Sequence, residues 1–178
     1  MIFVGLIVLL AGALLFHLQG NVYVLHIQAD EIRSKMAEKM PINKTYLYVF
    51  KVTLANPRVA LVQGSSRIHA GMDVMLNVRL KGLENLGGQV DISGGLRYDA
   101  PTGEFLLLEP VVERLSVKGL PESYSNKANK AIGMALNEYY QKHPIYTLRA
   151  TDLKRATAKW LLKSVLVEKG ELVVTLGL

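Results

Sequence analysis

The sequence predicts an α+β protein in which a long, strongly curved antiparallel β-sheet wraps around a long C-terminal helix, with an N-terminal membrane helix ahead of both. Three patterns lead there. Ile68, Ala70, Met72, Val74, Leu76, Val78 and Leu80 take every second position of one segment, the period of a strand with one dry and one wet face. Tyr124, Ala128, Ala131, Ile132, Ala135, Leu136 and Tyr139 recur at three- and four-residue spacing between Pro121 and His143, the period of an amphipathic helix. Ile2 to Phe16 contains no polar side chain.

That apolar run comes first in the chain. As a helix, Met1–Leu18 would be roughly 27 Å long, just short of a hydrocarbon core of roughly 30 Å. A signal-anchor that stays in the membrane and the apolar core of a removable export signal both fit. A buried core helix fits less well, because the run is apolar on every face. The first charged side chain is Asp30, so loop charge gives little on orientation. Residues 1–20 are therefore read as an anchor or signal segment and 21–178 as the folded domain.

The remaining elements follow in order. Val22 to Ile27 mixes aliphatic and aromatic residues, as a strand does. Ala29 to Met40 reads as a helix, with Asp30 as N-cap, Ile32, Met36 and Met40 on one face, a Glu31–Lys35 pair outside and Pro41 as the stop. A β region runs from Tyr46 to Leu120. Phe50–Leu54 is a strand, Asn56-Pro57 a turn, and Val59–Val62 the resumption. The strand from Ile68 to Leu80 would span roughly 40 Å and must curve or twist to keep its dry face covered. Leu86-Gly87-Gly88 turns the chain. Gln89–Tyr98 alternates again, with a bulge or bend expected at Gly94-Gly95. Asp99 to Gly103 is a hairpin turn between that strand and Phe105–Leu108, and Val111–Val117 is a further strand. After the long helix, Ile145–Leu148 leads to a second helix from Thr151 to about Lys163, with Leu153, Ala156, Trp160 and Leu161 on its apolar face. Val165–Val167, a Lys169-Gly170 turn and Leu172–Leu176 make a final hairpin.

Composition excludes much chemistry. The 178 residues are 50% hydrophobic and 20% charged, enough for a core and too apolar for disorder. There is no cysteine, which removes disulfides, thiolate nucleophiles and Cys-type metal sites. His17, His26, His69 and His143 have no metal-site spacing, and the Asp and Glu residues are scattered. Ser65-Ser66 follows Gly64 without the G-x-S-x-G pattern. The glycines from Gly82 to Gly88 lie between two strands, out of context for phosphate binding. No catalytic residue, metal or cofactor is expected. The net charge of +6 favours acidic partners. Arg155, Lys159 and Lys163 form a stripe that could face anionic headgroups or simply water. Nucleic acid is not an expected partner, since no groove-reading motif is present.

Several short segments resemble one family, the YceB-like bacterial lipoproteins of unknown function. They are Glu31-Ile32 with Met40-Pro41, Leu54 to Val59, Leu96-Arg97-Tyr98-Asp99, Pro144 to Leu148, and Gly170 to Val174. The resemblance spans about Ala29 to Leu178. It implies a tubular lipid-binding type of fold, a Gram-negative cell envelope and no catalytic residues. One departure stands out: Leu10-Ala11-Gly12 matches the start of a lipoprotein processing site, but Ala13 replaces the cysteine that would be acylated. This favours a periplasmic domain held at the inner rather than the outer membrane.

The resulting expectation is a membrane-tethered envelope module, anchored through residues 1–18, that binds lipid or another long apolar ligand. Met72, Val74, Leu76 and Val78 from the sheet and Ile132, Leu136, Tyr139 and Trp160 from the helices are the expected lining. The alternative is a non-enzymatic scaffold with a filled core that docks an envelope protein partner.

Overall fold

The computed structural model describes residues 22–46, 48–79, 85–149, 151 and 160–178. The expected membrane helix, Leu80 and positions 152–159 of the expected second helix lie outside them. No helix among the described residues is long and apolar enough to cross a membrane.

The element order is β1 (Val22–Gln28), α1 (Ala29–Ala37), β2 (Ile42–Tyr46), β3 (Phe50–Ala60), β4 (Ile68–Val78), β5 (Leu86–Asp99), β6 (Glu104–Val117), α2 (Glu122–Tyr140), β7 (Tyr146–Thr147), β8 (Leu161–Glu168) and β9 (Glu171–Gly177). All strand pairs are antiparallel. One sheet runs β2-β3-β4-β5-β6-β7 in chain order, a meander; the other is β1-β9-β8. The protein is thus α+β and dominated by sheet. The β3–β4 connection is tied to the smaller sheet: Gly64 N donates to the Val167 carbonyl at 2.9 Å, Val167 N donates to the Ser65 carbonyl at 2.9 Å, and Lys169 N donates to Gln63 Oε1 at 3.0 Å.

The alternation in β4 survives intact. Ile68, Ala70, Met72, Val74, Leu76 and Val78 are buried, and the residues between them are partly or fully exposed. Phe50, Val52 and Leu54 of β3 and Val90, Ile92 and Leu96 of β5 continue the same dry face. Both sheets and both helices contribute to one apolar cluster.

Several boundaries move. Asn56-Pro57 is not a turn but a bulge inside β3: the register against β4 shifts between Ala55 and Arg58, and Asn56 has φ +51°. Asn tolerates that conformation, and the missing proline N–H costs nothing where the ladder is already interrupted. Leu86-Gly87-Gly88 belongs to β5, opposite Leu76, Met75 and Val74. The two strands expected between Phe105 and Val117 are one, β6, with register shifts opposite Asp91–Gly95. The expected Gly94-Gly95 irregularity is therefore present. Arg67 serves this region: Nη2 donates to the Ser93 carbonyl at 3.0 Å and to the Glu109 carbonyl at 3.4 Å, and Nε donates to Ser93 Oγ at 2.9 Å. A guanidinium supplies the donors that an irregular ladder withholds from its carbonyls.

Asp30 is not the cap of α1. Gln28 holds that position without a side-chain bond, and Asp30 sits in the first turn, paired with Arg33. Lys35 pairs with Glu38 instead of Glu31, whose partner is Arg149. Helix α2 is long but not C-terminal, since β7, β8 and β9 follow it. Leu161 to Lys163 lie in β8, so the second helix cannot extend through them.

Two glycines give opposite expectations. A Cβ on Gly88 would sit 2.1 Å from the Ser116 carbonyl oxygen and 2.7 Å from Val117 Cα, so β5 and β6 would have to part. Gly88→Ala should lower stability by about 1–3 kcal/mol. Gly133 lies within α2 with nothing inside 4 Å of its Cβ position, so Gly133→Ala should raise stability by about 0.5–1 kcal/mol. Urea unfolding of the two variants checks both signs.

Candidate functional site

Helix α2 carries the central part of the site. Ala128, Ala131, Ile132, Ala135, Leu136, Tyr139 and Tyr140 are its buried residues. Three alanines keep that face shallow where the helix packs against β6 on one side and β3 and β2 on the other. Ion pairing fixes the second contact. Glu138 of α2 accepts from Lys44 and, at 2.8 Å, from the Tyr46 hydroxyl, both on the edge strand β2. The hydrogen bond from Lys44, then that from Tyr46, hold the Glu138 carboxyl below its ordinary value. Burial first, and Glu138 second, push the Tyr46 phenol up, so it remains a donor.

The predicted lining residues Met72, Val74, Leu76, Val78, Ile132, Leu136, Tyr139 and Trp160 are all buried and all join the one core cluster. Trp160 is there by another route than expected. It lies just ahead of β8, and its ring meets Tyr23 of β1 at 5.4 Å between centroids. Met134, also on α2, is 42% exposed.

One cavity, about 190 Å³, opens at the C-terminal end of α2, where α1, the start of β6 and the Pro144 segment meet. Met36, Tyr139, Tyr140 and Pro144 line it together with both kinds of charge, Lys35, Lys39 and Lys142 against Glu38 and Glu104, and with His143. Tyr139 is the predicted lining residue that reaches this cavity. Its ring stacks on His143 at 4.1 Å and meets Tyr140 edge-on at 5.1 Å. Its hydroxyl donates to the Lys39 carbonyl at 3.4 Å. His143 Nδ1 lies 2.9 Å from the Tyr139 carbonyl; a carbonyl only accepts, so Nδ1 carries the proton and Nε2 of a neutral ring is left as an acceptor.

Tyr140 is the residue that sequence reasoning missed. It lies eight positions after Ile132, on the same helical stripe, and is 1% exposed. Its hydroxyl is buried without a hydrogen-bond partner among the described residues, as are the Tyr98 hydroxyl, Trp160 Nε1 and Asn129 Oδ1. Burial pushes the Tyr140 phenol up, so it stays protonated. A buried donor without an acceptor costs on the order of 1–3 kcal/mol. Such groups are uncommon in folded proteins. Tyr98 also belongs to an aromatic row, 4.8 Å from Phe105, which in turn lies 5.9 Å from Tyr146.

Among the described residues, no three His, Asp or Glu side chains gather into a metal site. His26 is engaged with Glu171 at 2.9 Å on the surface of the smaller sheet. Arg155 and Lys159 of the expected basic stripe lie outside the described residues, and Lys163 is on β8.

A family model described as "Protein of unknown function (DUF1439)" matches residues 27–171. No curated protein matches the chain.

Tyr140→Phe should leave stability unchanged or raise it by up to about 1–3 kcal/mol, because it removes an orphaned hydroxyl and keeps the ring. A fall in the urea midpoint would mean that the hydroxyl has a partner. The Glu138 clasp predicts a pH effect of definite sign. A lowered folded value stabilises the fold above the ordinary value of 4.5 and stops doing so as pH falls through the lower folded one. Glu138→Gln should therefore be less stable than wild type at neutral pH, and the gap should close under acid, as followed by pH-jump circular dichroism.

Proposed function

We propose, for a chain that belongs to the DUF1439 family of unknown function, a binding role: it holds a lipid or another long apolar ligand with a polar head between the curved meander and helix α2. The observation that carries this reading is the set of buried donors without acceptors among the described residues, Tyr98, Tyr140 and Trp160, in and beside a large apolar cluster. A filled hydrocarbon core gains nothing from orphaned donors. A ligand with an ester, hydroxyl or carboxylate group gives them acceptors.

The opening at the end of α2 suits the head of such a molecule. At about 190 Å³ it is smaller than the roughly 300 Å³ of a complete small-ligand pocket. The head therefore rests among Lys39, Lys142 and His143, and the tail enters by displacing core side chains. Met36 and Met72 are the adaptable ones, with unbranched chains that repack at low cost. Met72, Val74, Leu76 and Val78 supply one wall, and Ile132, Leu136 and Tyr139 the other. Trp160 closes the side towards the smaller sheet. In this reading the domain is periplasmic, is tethered to the inner membrane through residues 1–18, and shares the tubular lipid-binding design of the lipoproteins it resembles.

A scaffold role is the second reading. Leu108 and Val111 of β6 are 42% and 49% exposed, apolar area that an envelope protein could cover.

Affinity against tail length decides between them. Each buried methylene contributes about 0.8 kcal/mol, so each carbon added to a fatty acid should tighten binding roughly fourfold until the interior is full. Native mass spectrometry of the detergent-released full chain should show co-purifying lipid. Flat affinity across tail lengths, with a bare protein mass, would reject the ligand reading.

A further inference from the structure

Tyr48 stands at the tip of the β2–β3 hairpin, 88% exposed and with φ at +57°. Val49 N donates to the Tyr46 carbonyl at 3.2 Å, which closes a turn with Tyr48 at its third position. A positive φ there is ordinarily taken by Gly or Asn. A bulky aromatic in the left-handed region is strained, and at this exposure no packing offsets the strain. Strain held at a surface position is a reason to look for what the side chain meets.

The strand register brings cations to the same end of the sheet. Lys51 lies opposite Asn77. Arg79 N donates to the Val49 carbonyl at 2.9 Å, and Lys118 N donates to the Gly87 carbonyl at 3.2 Å. Tyr48, Lys51 and Arg79 line one shallow cleft with Thr45, Val49 and Asn77. Lys51, Arg79 and Lys118 are exposed and make no ion pair among the described residues. Met75, 49% exposed, adds apolar surface next to Gly87 on the same outward face. Glu122, in the first turn of α2, is the acidic residue nearest in sequence to Lys118.

We propose that this edge of the meander docks on the surface of an anionic phospholipid bilayer, with the Tyr48 ring at headgroup depth and Lys51, Arg79 and Lys118 on the lipid phosphates. Tyrosine suits the membrane–water boundary because its ring is apolar and its hydroxyl is wet. Lys51 and Arg79 beside an exposed ring, with Lys118 further along the same end of the sheet, have no ion-pair partner among the described residues and are complementary to anionic headgroups. The contact is separate from the ligand opening. Glu104 at that opening and Lys118 here flank the two ends of the 14-residue β6, roughly 45 Å apart along the strand. Docking requires no occupied interior, so it stands or falls apart from the ligand reading.

The chain contains no cysteine, so Thr45→Cys gives one labelling site in the cleft. The full chain, labelled there with a fluorophore, is reconstituted into vesicles carrying nitroxide-headgroup lipid. The vesicles are made of phosphatidylcholine alone or with phosphatidylglycerol added. Quenching should be strong only with phosphatidylglycerol. Lys51→Gln, Arg79→Gln and Lys118→Gln should each reduce the docked-to-undocked ratio about fivefold. Tyr48→Gly separates structure from function: glycine suits the backbone, so the melting temperature should rise while quenching is lost. Equal quenching in both lipids, or quenching that survives Tyr48→Gly or the combination of Lys51→Gln, Arg79→Gln and Lys118→Gln, would overturn the proposal. Absence of quenching in anionic vesicles would also overturn it and leave the surface to an acidic protein.

Discussion

The dry face of β4 is the constraint from which the architecture follows. Six alternate apolar side chains on one 11-residue strand must be kept from water together, and no single neighbour of ordinary length can do so. β3 and β5 extend the face sideways, and α2 packs against β6, β3 and β2 with its buried face in the same apolar cluster. Burying each such side chain contributes about 1.5–3 kcal/mol. That term decides the placement of the helix against the weaker preferences of its polar residues. The bulges in β3 and between β5 and β6 fit the same requirement, since a bulge increases local twist and bend.

The clasp between Glu138 and β2 is of a different kind. It is exposed, and an exposed ion pair contributes little to total stability. Its role is positional. It ties the helix to the edge of the sheet opposite β6, so that the meander and the helix meet on two sides. Arg67 does comparable work at the bulges by satisfying carbonyls that the ladder cannot reach.

Period alone made β4 and α2 legible in the sequence, because each buries one continuous face, and the Lys169-Gly170 turn marked the final hairpin, of whose first strand Val167 is the one buried residue. The burial of Met72, Val74, Leu76, Val78, Ile132, Leu136 and Tyr139 was legible from the same periodicity. Local chemistry was a poorer guide where tertiary contacts overrule it. Asn56-Pro57 and Leu86-Gly87-Gly88 have turn composition, yet pairing with β4 holds both in strands. β2 escaped notice because Lys44 takes a half-buried position between Ile42 and Tyr46, so burial alternates along the strand while the sequence shows no apolar alternation. Tyr140 escaped because Tyr139 already filled that turn of the helix. The pairing of β1 with β9 has no local signature at all.

That last pairing has a consequence for how the protein is made. β1 is the first described strand, and its partner is β9; Gln28 and Glu171 bond across 143 intervening sequence steps. During vectorial synthesis both backbone rims of β1 stay open until β9 emerges, whereas the larger sheet can zip up hairpin by hairpin. A nascent strand left open in this way invites pairing with another chain. The smaller sheet is therefore the late, vulnerable step of biogenesis, and the stage at which a chaperone would matter most.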